Sequence, residues 1–392
     1  MRKKDLSPAR QKRLVPVDSH PGALALVPPK TPHRLDGIKA HDELRRAHES
    51  LNLLKDLSDR LPNPDLITRT ADRREAVRSS QIEGTSSEVD DLLTYEVTGN
   101  DEGMPPDVHV TKNYLIALQY GLEKVRKSGA SAINCLLVKE LHAHLMADID
   151  YMGEPGSYRE KQNWIGGGRR IYNAIYVPPP PENVAACMDD LETLLQYSPS
   201  EEEQMVLSVI TRMAIAHVQF ESIHPFTDGN GRVGRILLPL MLAAEGYPPV
   251  YLAGYLKDNQ RDYYDALAGV QLKGRWSDWI KFFAIGMESA ARESIRTGLA
   301  LERVLTKWQS IVNGMGLRSH NALLKLPELM IGTPILTAHK VKEALDISFP
   351  SASAALGKMG EIGILTQTNE YRRNRVFIAS EVIDILNQPA DS

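Results

Sequence analysis

The segment "ILLPLMLAAEG" at 236–246 is apolar nearly all round. A surface helix keeps one apolar stripe, so a helix apolar on every side must sit in the middle of other helices. Just upstream, over 202–220, Met205, Val209, Met213, Ala216 and Phe220 recur at helical spacing. Two such segments in succession demand a helical domain built around them. Pro239 lies inside the second and is expected to kink it or break one backbone bond, at roughly 3 kcal/mol. Gly246, Pro248 and Pro249 end it.

The rest of the chain reads mainly as helix. Leu44, His48, Leu51, Leu54 and Leu57 form a stripe from Asp42 to about Leu61. Pro64 opens a second helix that continues to about Ser80. Further helices are expected at 107–127, 131–147 and 183–197, with two or three more over 257–300. The pattern changes between 150 and 182. There "WIGGGRR" reads as a turn, and "RRIYNAIYV" suits a short strand or hairpin, closed by Pro178–Pro181. Residues 1–36 have no apolar period and read as a tail or extended arm. At the other end come a short helix at 337–346, the turn "ISF", a helix at 350–365 and a hairpin-like stretch at 366–378. That is the order of a winged helix-turn-helix. The expected partition is an arm at 1–36, a helical region at 37–105, a core at 106–300 and a winged-helix-like domain at 310–392.

Composition narrows the class. A chain of 392 residues has room for two or three domains. It contains no apolar run of about eighteen residues, so no transmembrane helix is expected. The opening "MRKKDLSPARQKRL" is basic without an apolar h-region and does not read as a secretory signal. Cys135 and Cys187 lie in apolar helical stretches and read as buried free thiols, which points to the cytoplasm. A net charge of -4 argues against a wholly basic nucleic-acid surface.

Between the two central helices lies "HPFTDGNGRVGR", residues 224–235. Its glycines permit a tight turn into a helix N-terminus, where unpaired amides and the helix dipole attract anions. Arg232 and Arg235 share one face of the first turn. Cations there are unfavourable unless a multiply charged anion, such as a nucleotide polyphosphate, sits between them. Asp228 would repel that anion unless a divalent cation intervened, as Mg²⁺ does between a carboxylate and phosphates. His224 can take a proton from an incoming hydroxyl. Together these groups suit transfer of a phosphorus-containing group to an alcohol or phenol. His217, on the apolar face upstream, reads instead as a packed core residue. His142 and His144 do not face each other and make a poor metal pair.

The same twelve residues resemble the Fic family signature HxFx(D/E)GNGRxxR at His224, Phe226, Asp228, Gly229, Asn230, Gly231, Arg232 and Arg235. "GSYR" at 156–159, "YVPPPPENV", "YYDAL" and "WSDWIKFF" extend the likeness over about 40–300. The resemblance implies a compact helical bundle with a short β-hairpin flap. It implies transfer of AMP from ATP to a Ser, Thr or Tyr hydroxyl of a protein, or of the chain itself. In that reading His224 is the general base and Phe226 anchors the loop. Asp228 holds Mg²⁺ on the phosphates, and Gly229, Asn230 and Gly231 form the anion hole. Arg232 grips the outer phosphates and Arg235 the γ-phosphate. Tyr263 and Gln271 fall where nucleotide contacts occur. Ile171, Tyr172, Asn173, Ala174 and Ile175 fall on the flap that aligns the target by strand addition.

"SSQIEG" at 79–84 resembles the family's inhibitory pattern (S/T)xxxE(G/N), matched by Ser79, Glu83 and Gly84. The implied brake is a Glu83 carboxylate that takes Arg235 away from the γ-phosphate, on a helix preceding the core. The bland alternative is a helix-end carboxylate. Other outcomes stay open within the resemblance: transfer of another nucleotide or phosphate group, or removal of AMP at the same site. A different class is a DNA-binding regulator, with Arg372, Arg373 and Arg375 of the wing touching phosphates. Against it, "PSASAALGKMGEIGIL" offers Lys358 alone and nothing for base edges. ATP and a protein target are the expected partners, with a homodimer and protein docking through the C-terminal module as further expectations.

Overall fold

The computed structural model describes residues 1–60, 64–197, 207–367 and 375–388, with backbone alone for 64–70. Helices dominate. The first half holds α1 (Pro8–Gln11), α2 (His41–Arg60), α3 (Pro64–Ile82), α4 (Val89–Thr98), α5 (Val108–Ser128), α6 (Cys135–Leu145) and α7 (Pro181–Leu195). Next come α8 (Val209–Ile223), α9 (Asn230–Ala244), α10 (Ala253–Asp258), α11 (Gln260–Ala268) and α12 (Trp276–Asn313). The last are α13 (Leu326–Gly332), α14 (Ala338–Leu345), α15 (Phe349–Glu361) and α16 (Ser380–Asn387). The strands are short: β1 (Leu14–Pro16), β2 (Leu24–Leu26), β3 (Ile335–Thr337), β4 (Thr366–Gln367) and β5 (Val376–Ile378).

The chain forms two units, Met1–Lys55 with Asn113–Ala291, and Asp56–Lys112 with Arg292–Ser392. This differs from the expected partition. No linker marks 300–310, because α12 runs unbroken through it to Asn313. Residues 56–105, expected to form one region with 37–55, and 106–112, expected in the core, group with the C-terminal part instead.

In the first unit, every residue of α8 is buried, as are Val233 to Leu242 of α9. These two helices pack on each other, with α7 against α8 and α6 against α9. Close approach has a local cause: a Cβ on Gly121 of α5 would lie 2.7 Å from Leu240. Trp279 of α12 closes the core and donates its indole N–H to the Ala214 carbonyl at 2.8 Å. Pro239 does not break α9. Its cost of roughly 3 kcal/mol is outweighed by burial of Ile236, Leu237, Leu238, Leu240 and Leu242, at about 1.5–3 kcal/mol each. The start of the expected 202–220 helix, with Met205, lies outside the described residues.

The N-terminal stretch is not a tail. β1 and β2 pair antiparallel, Val15 opposite Ala25. Val17, Ala23 and Ala25 form a small buried cluster with Ile171, Ala174 and Val177. Elements of three residues are too short to show a period, so the sequence hid them. The flap also differs from expectation. Ile171–Asn173 is a single 3₁₀ turn, and the only ladder contact there is an isolated antiparallel bridge, Ile165 to Tyr176. Gly166, Gly167 and Gly168 all take positive φ, and a Cβ on Gly167 would lie 2.3 Å from the Asn173 backbone. That backbone-on-backbone packing makes the stretch a turn, as read for "WIGGGRR", and leaves no length for a strand. Cys135 and Cys187 are free but only half-buried. Burial still pushes the Cys135 thiol up to about 12, so it is inert near neutrality.

In the second unit α13 packs on α3, and α4 packs on β3. β3, α14, α15, β4 and β5 follow in order, and the sheet runs β3-β5-β4, antiparallel throughout. Thr337 caps α14 and Ser348 caps α15 through their hydroxyls. Trp308, Leu326, Met330, Leu356 and Phe377 lie in its core. Arg372 and Arg373 lie outside the described residues. Arg375 donates to the Ser353 hydroxyl at 2.9 Å, and Lys358 bonds Glu361 at 2.9 Å.

Candidate active site

α8 ends at His224, whose φ of 50° and ψ of 61° place it in the left-handed region. For a non-glycine residue that costs about 1–2 kcal/mol and needs support. Its own amide donates to the Phe220 carbonyl at 2.9 Å. Arg159 supplies more. Its Nε donates to the His224 carbonyl at 2.9 Å, its Nη2 to the Pro179 carbonyl at 2.6 Å, and its amide to the Pro225 carbonyl at 2.9 Å. A guanidinium at the last carbonyls of a helix is also favoured by the dipole. Burial brings Arg159 down to about 10, which still leaves it charged at neutral pH.

The turn after His224 is held from three sides. Asn230 clamps Phe226, accepting from its amide at 2.8 Å and donating to its carbonyl at 2.9 Å. The Phe226 ring is fully buried and stacks on His142, centroids 3.8 Å apart. His142 accepts from the Gly156 amide through Nδ1 at 2.9 Å, so Nε2 carries the proton and faces the Asp228 carbonyl at 3.2 Å. Burial drives His142 down to about 4, so it is the neutral form that does this. Gly229 is left-handed at φ 79°, and a Cβ there would lie 2.1 Å from Met146 Cε.

The charged groups of the motif converge on this turn. Asp228 is largely exposed and lies 3.3 Å from Arg232, which is itself almost buried. Arg235 is 1% exposed. The first intrahelical bond of α9 is Val233 to Gly229, so the amides of Asn230, Gly231 and Arg232 have no helical partner. His224 is partly exposed, and its Nδ1 lies 3.7 Å from Glu221 Oε2. Glu221 is buried. Burial pushes its carboxyl up, but His224, His217 and Arg235 more than offset this, and it stays below the usual carboxylate range. Gly234 makes room for it: a Cβ there would lie 2.8 Å from Glu221 Oε1.

His224, Phe226, Asp228, Gly229, Asn230, Gly231, Arg232 and Arg235 therefore lie in one turn and the start of one helix. Tyr263 does not join them as a ligand contact. It is 1% exposed, and its hydroxyl donates to His217 Nε2 at 2.8 Å. His217 stacks on Trp279 and is the core residue expected of it. Gln271 is largely buried in a π-helical turn, Gly269–Lys273. On the flap, Tyr172 and Ile175 are each 59% exposed, while Ile171 and Ala174 are buried. Ser79 is buried in the second unit; Glu83 follows the end of α3, and Gly84 takes φ 95°. Sequence reasoning missed Arg159, His142 and Glu221. Arg159 had a faint signal in "GSYR"; the other two had none.

The donor set suits a hard divalent cation only together with phosphate oxygens. Among the described residues no group of three or more His, Cys, Asp or Glu can hold a metal. One exposed carboxylate beside the N-terminal amides of α9 and two arginines fits a magnesium–polyphosphate pair.

Parts of the chain are similar to known proteins. Residues 41–123 match the Fic/DOC family N-terminal model, and 132–242 match the Fic/DOC family model. The protein adenylyltransferase Fic of Aedes aegypti is 31% identical over 147 residues, 38% of this chain and 26% of that protein. Its counterpart in Drosophila yakuba is 30% identical over 168 residues, 42% of this chain and 30% of that protein. The chain thus spans less than a third of these relatives. A Fic family protein from Desulfovibrio desulfuricans G20 shares the fold, with a TM-score of 0.55 at 21% identity over 89% of this chain and 98% of that one. Fic-1 from C. elegans gives 0.51 at 24% identity, over 65% of this chain and 72% of that one. No helix among the described residues is long and apolar enough to cross a membrane.

Proposed function

Because residues 41–123 and 132–242 match the Fic/DOC family models, we propose that the chain is an autoinhibited protein adenylyltransferase. It moves AMP from ATP to a Ser, Thr or Tyr hydroxyl of a protein target, and to itself. One observation carries this reading: a partly exposed His224 ends α8 six residues before the open amides of α9 begin, with Asp228, Arg232 and Arg235 around them. The polyphosphate lies at the α9 N-terminus, against Asn230, Gly231 and Arg232. Asp228 would hold magnesium there with the phosphates, and the ion supplies charge neutralisation for the leaving pyrophosphate.

His224 takes the proton of the attacking hydroxyl. Its oxygen bonds the α-phosphorus as the bond to the β-phosphate oxygen breaks, and pyrophosphate leaves. Glu221 lies 3.7 Å from Nδ1, and its charge favours the tautomer protonated there, with Nε2 as the base. Arg159 and Asn230 keep the turn in its left-handed form, so the base is placed before substrate arrives. Tyr172 and Ile175 of the flap offer apolar contacts to the target segment.

Glu83 is the brake in this reading: its carboxylate competes with the γ-phosphate for Arg235. The β3–α14–α15–β4–β5 segment is a protein-docking module. The Lys358–Glu361 and Arg375–Ser353 contacts tie up two of its cations, and its α15 offers nothing else for base edges, which favours this over DNA binding. Incubation with labelled ATP and magnesium tests the whole. Glu83→Gly is expected to label itself more than wild type, and His224→Ala not at all. Equal labelling by wild type and Glu83→Gly removes the brake, and labelling by His224→Ala removes the base.

A further inference from the structure

The stretch that carries the flap sets out beside the end of α8 and returns to it. Its incoming arm is 159–163 and its outgoing arm 176–179. Two bonds tie the arms to each other. The Gln162 side-chain amide donates to the Pro178 carbonyl at 3.0 Å, and Arg159 Nη2 donates to that of Pro179 at 2.6 Å. Beyond them Ile165 bridges Tyr176.

Both arms also grip the end of α8. The last carbonyls of a helix lack partners within it and commonly turn to water or to a cap one or two residues on. Here the successive carbonyls of Ser222 to Phe226 accept from the arms of the flap. The Tyr176 hydroxyl, in a residue only 1% exposed, donates to Ser222 at 3.0 Å. Arg159 Nη2 reaches Ile223 at 3.5 Å, and its Nε and amide take His224 and Pro225 at 2.9 Å each. Asn163 Nδ2 donates to Phe226 at 3.0 Å and lies 3.5 Å from the His224 carbonyl. The Phe226 carbonyl accepts from Asn230 as well, at 2.9 Å. Both lone pairs of that oxygen are thus engaged, one by the flap and one by the first residue of α9.

We infer that Asn163 and Tyr176 are positioning residues for His224, fastening it to the flap so that flap and base move as one body. A left-handed residue other than glycine keeps its backbone only where its surroundings fix it, and His224 is such a residue. Arg159 holds it from the incoming arm alone. Tyr176 adds the outgoing arm, and Asn163 extends the grip past His224 to the turn that leads into α9. Neither side chain is asked to touch substrate; both act through the carbonyls of 222–226. A reacting group misplaced by about 1 Å costs on the order of a hundredfold in rate, so loss of either bond is expected to tell on the chemical step. The positioning role rests on the AMP-transfer reading given above; the fastening does not.

Asn163→Ala and Tyr176→Phe, each placed in the full-length Glu83→Gly chain, test this by self-labelling from labelled ATP with magnesium over a range of ATP concentrations. Each is expected to lower the rate at saturating ATP by about ten- to a hundredfold. The ATP concentration giving half that rate is expected to stay the same. Asn163 is half-buried and Tyr176→Phe removes a single oxygen, so both chains are expected to fold, which a melting curve checks. Hydrogen exchange over 222–228 is the second readout and needs no activity. It is expected to quicken several-fold in both variants. An unchanged maximal rate in both, or a change confined to the half-saturating ATP concentration, overturns the positioning role. Exchange as slow as in the parent chain overturns the fastening. A Glu83→Gly chain that labels nothing overturns the AMP-transfer reading instead, and the exchange measurement still decides the fastening.

Discussion

Glu221 Oε2 lies 3.7 Å from Nδ1 of His224, one turn of α8 away, in the space that Gly234 leaves open on α9. A buried carboxylate behind a histidine fixes which ring nitrogen is protonated and stabilises the imidazolium once it forms. Glu221→Gln keeps the shape and removes the charge. It is expected to lower AMP transfer by roughly ten- to a hundredfold, as one charge facing the imidazolium at 3.7 Å is lost. ATP affinity should change little, and Glu221→Asp should recover part of the rate. Single-turnover rates beside an ATP titration check this. A loss confined to ATP affinity would show that the carboxylate serves the nucleotide and not the base.

His142 gives the fold a dependence on pH. Its folded form resists protonation down to about 4, while the unfolded chain takes a proton near 6.5. Below 6.5 the unfolded state therefore binds a proton that the folded state refuses. Stability from this site is complete above pH 6.5 and drains away as the pH falls to about 4, by about 3 kcal/mol in all. His142→Gln cannot titrate. The Tm gap between wild type and His142→Gln is expected to narrow steadily between pH 7 and 4.5. A gap independent of pH would mean that His142 is already charged, or freely solvated, in the folded protein.

How much of this was legible in the chain differs residue by residue. The α8–α9 pair was legible because its apolar residues repeat over fifteen positions, and periodicity needs length. The motif was legible because its members are contiguous. The supports of the motif were not. Arg159 reaches His224 across 65 positions and His142 reaches Asp228 across 86, and nothing local in either stretch encodes the partner. α4, β3 and α16 were missed for want of length. Tyr263 misled for another reason: a tyrosine near a site reads as a ligand contact until its hydroxyl is found on His217.

Gly229 separates backbone strain from crowding. Gly229→Ala places a Cβ 2.1 Å from Met146 Cε at a φ of 79°. Left-handed strain costs about 1–2 kcal/mol, and overpacking typically adds about 1–3 kcal/mol. Met146→Ala in the same chain relieves only the second. Denaturant unfolding of Gly229→Ala, Met146→Ala and the double variant is expected to show partial compensation, with the strain remaining. Strict additivity would mean that the methionine had moved aside at no cost.

The N-terminal hairpin packs against the proposed flap. Ala25 is fully buried where β2 meets Ile171, Ala174 and Val177. The Leu26 amide donates to the Val177 carbonyl at 2.9 Å, the Tyr172 hydroxyl donates to the Pro21 carbonyl at 3.0 Å, and the Met1 amino group reaches the Ala174 carbonyl. With one isolated bridge of its own, the flap owes its shape largely to this hairpin. Ala25→Glu buries a charge in the cluster and should lift the hairpin away. Hydrogen exchange over 165–177 is then expected to rise, and modification of a protein target to fall about tenfold or more. ATP binding at the α9 N-terminus should hold, since the cluster around Ala25 consists of Val17, Ala23, Ile171, Ala174 and Val177 and includes no residue of the 224–235 turn. In the proposed role of the flap, the loss should appear as weaker target binding. An Ala25→Glu chain with faster exchange and undiminished target modification would show that the flap needs no support to do its work.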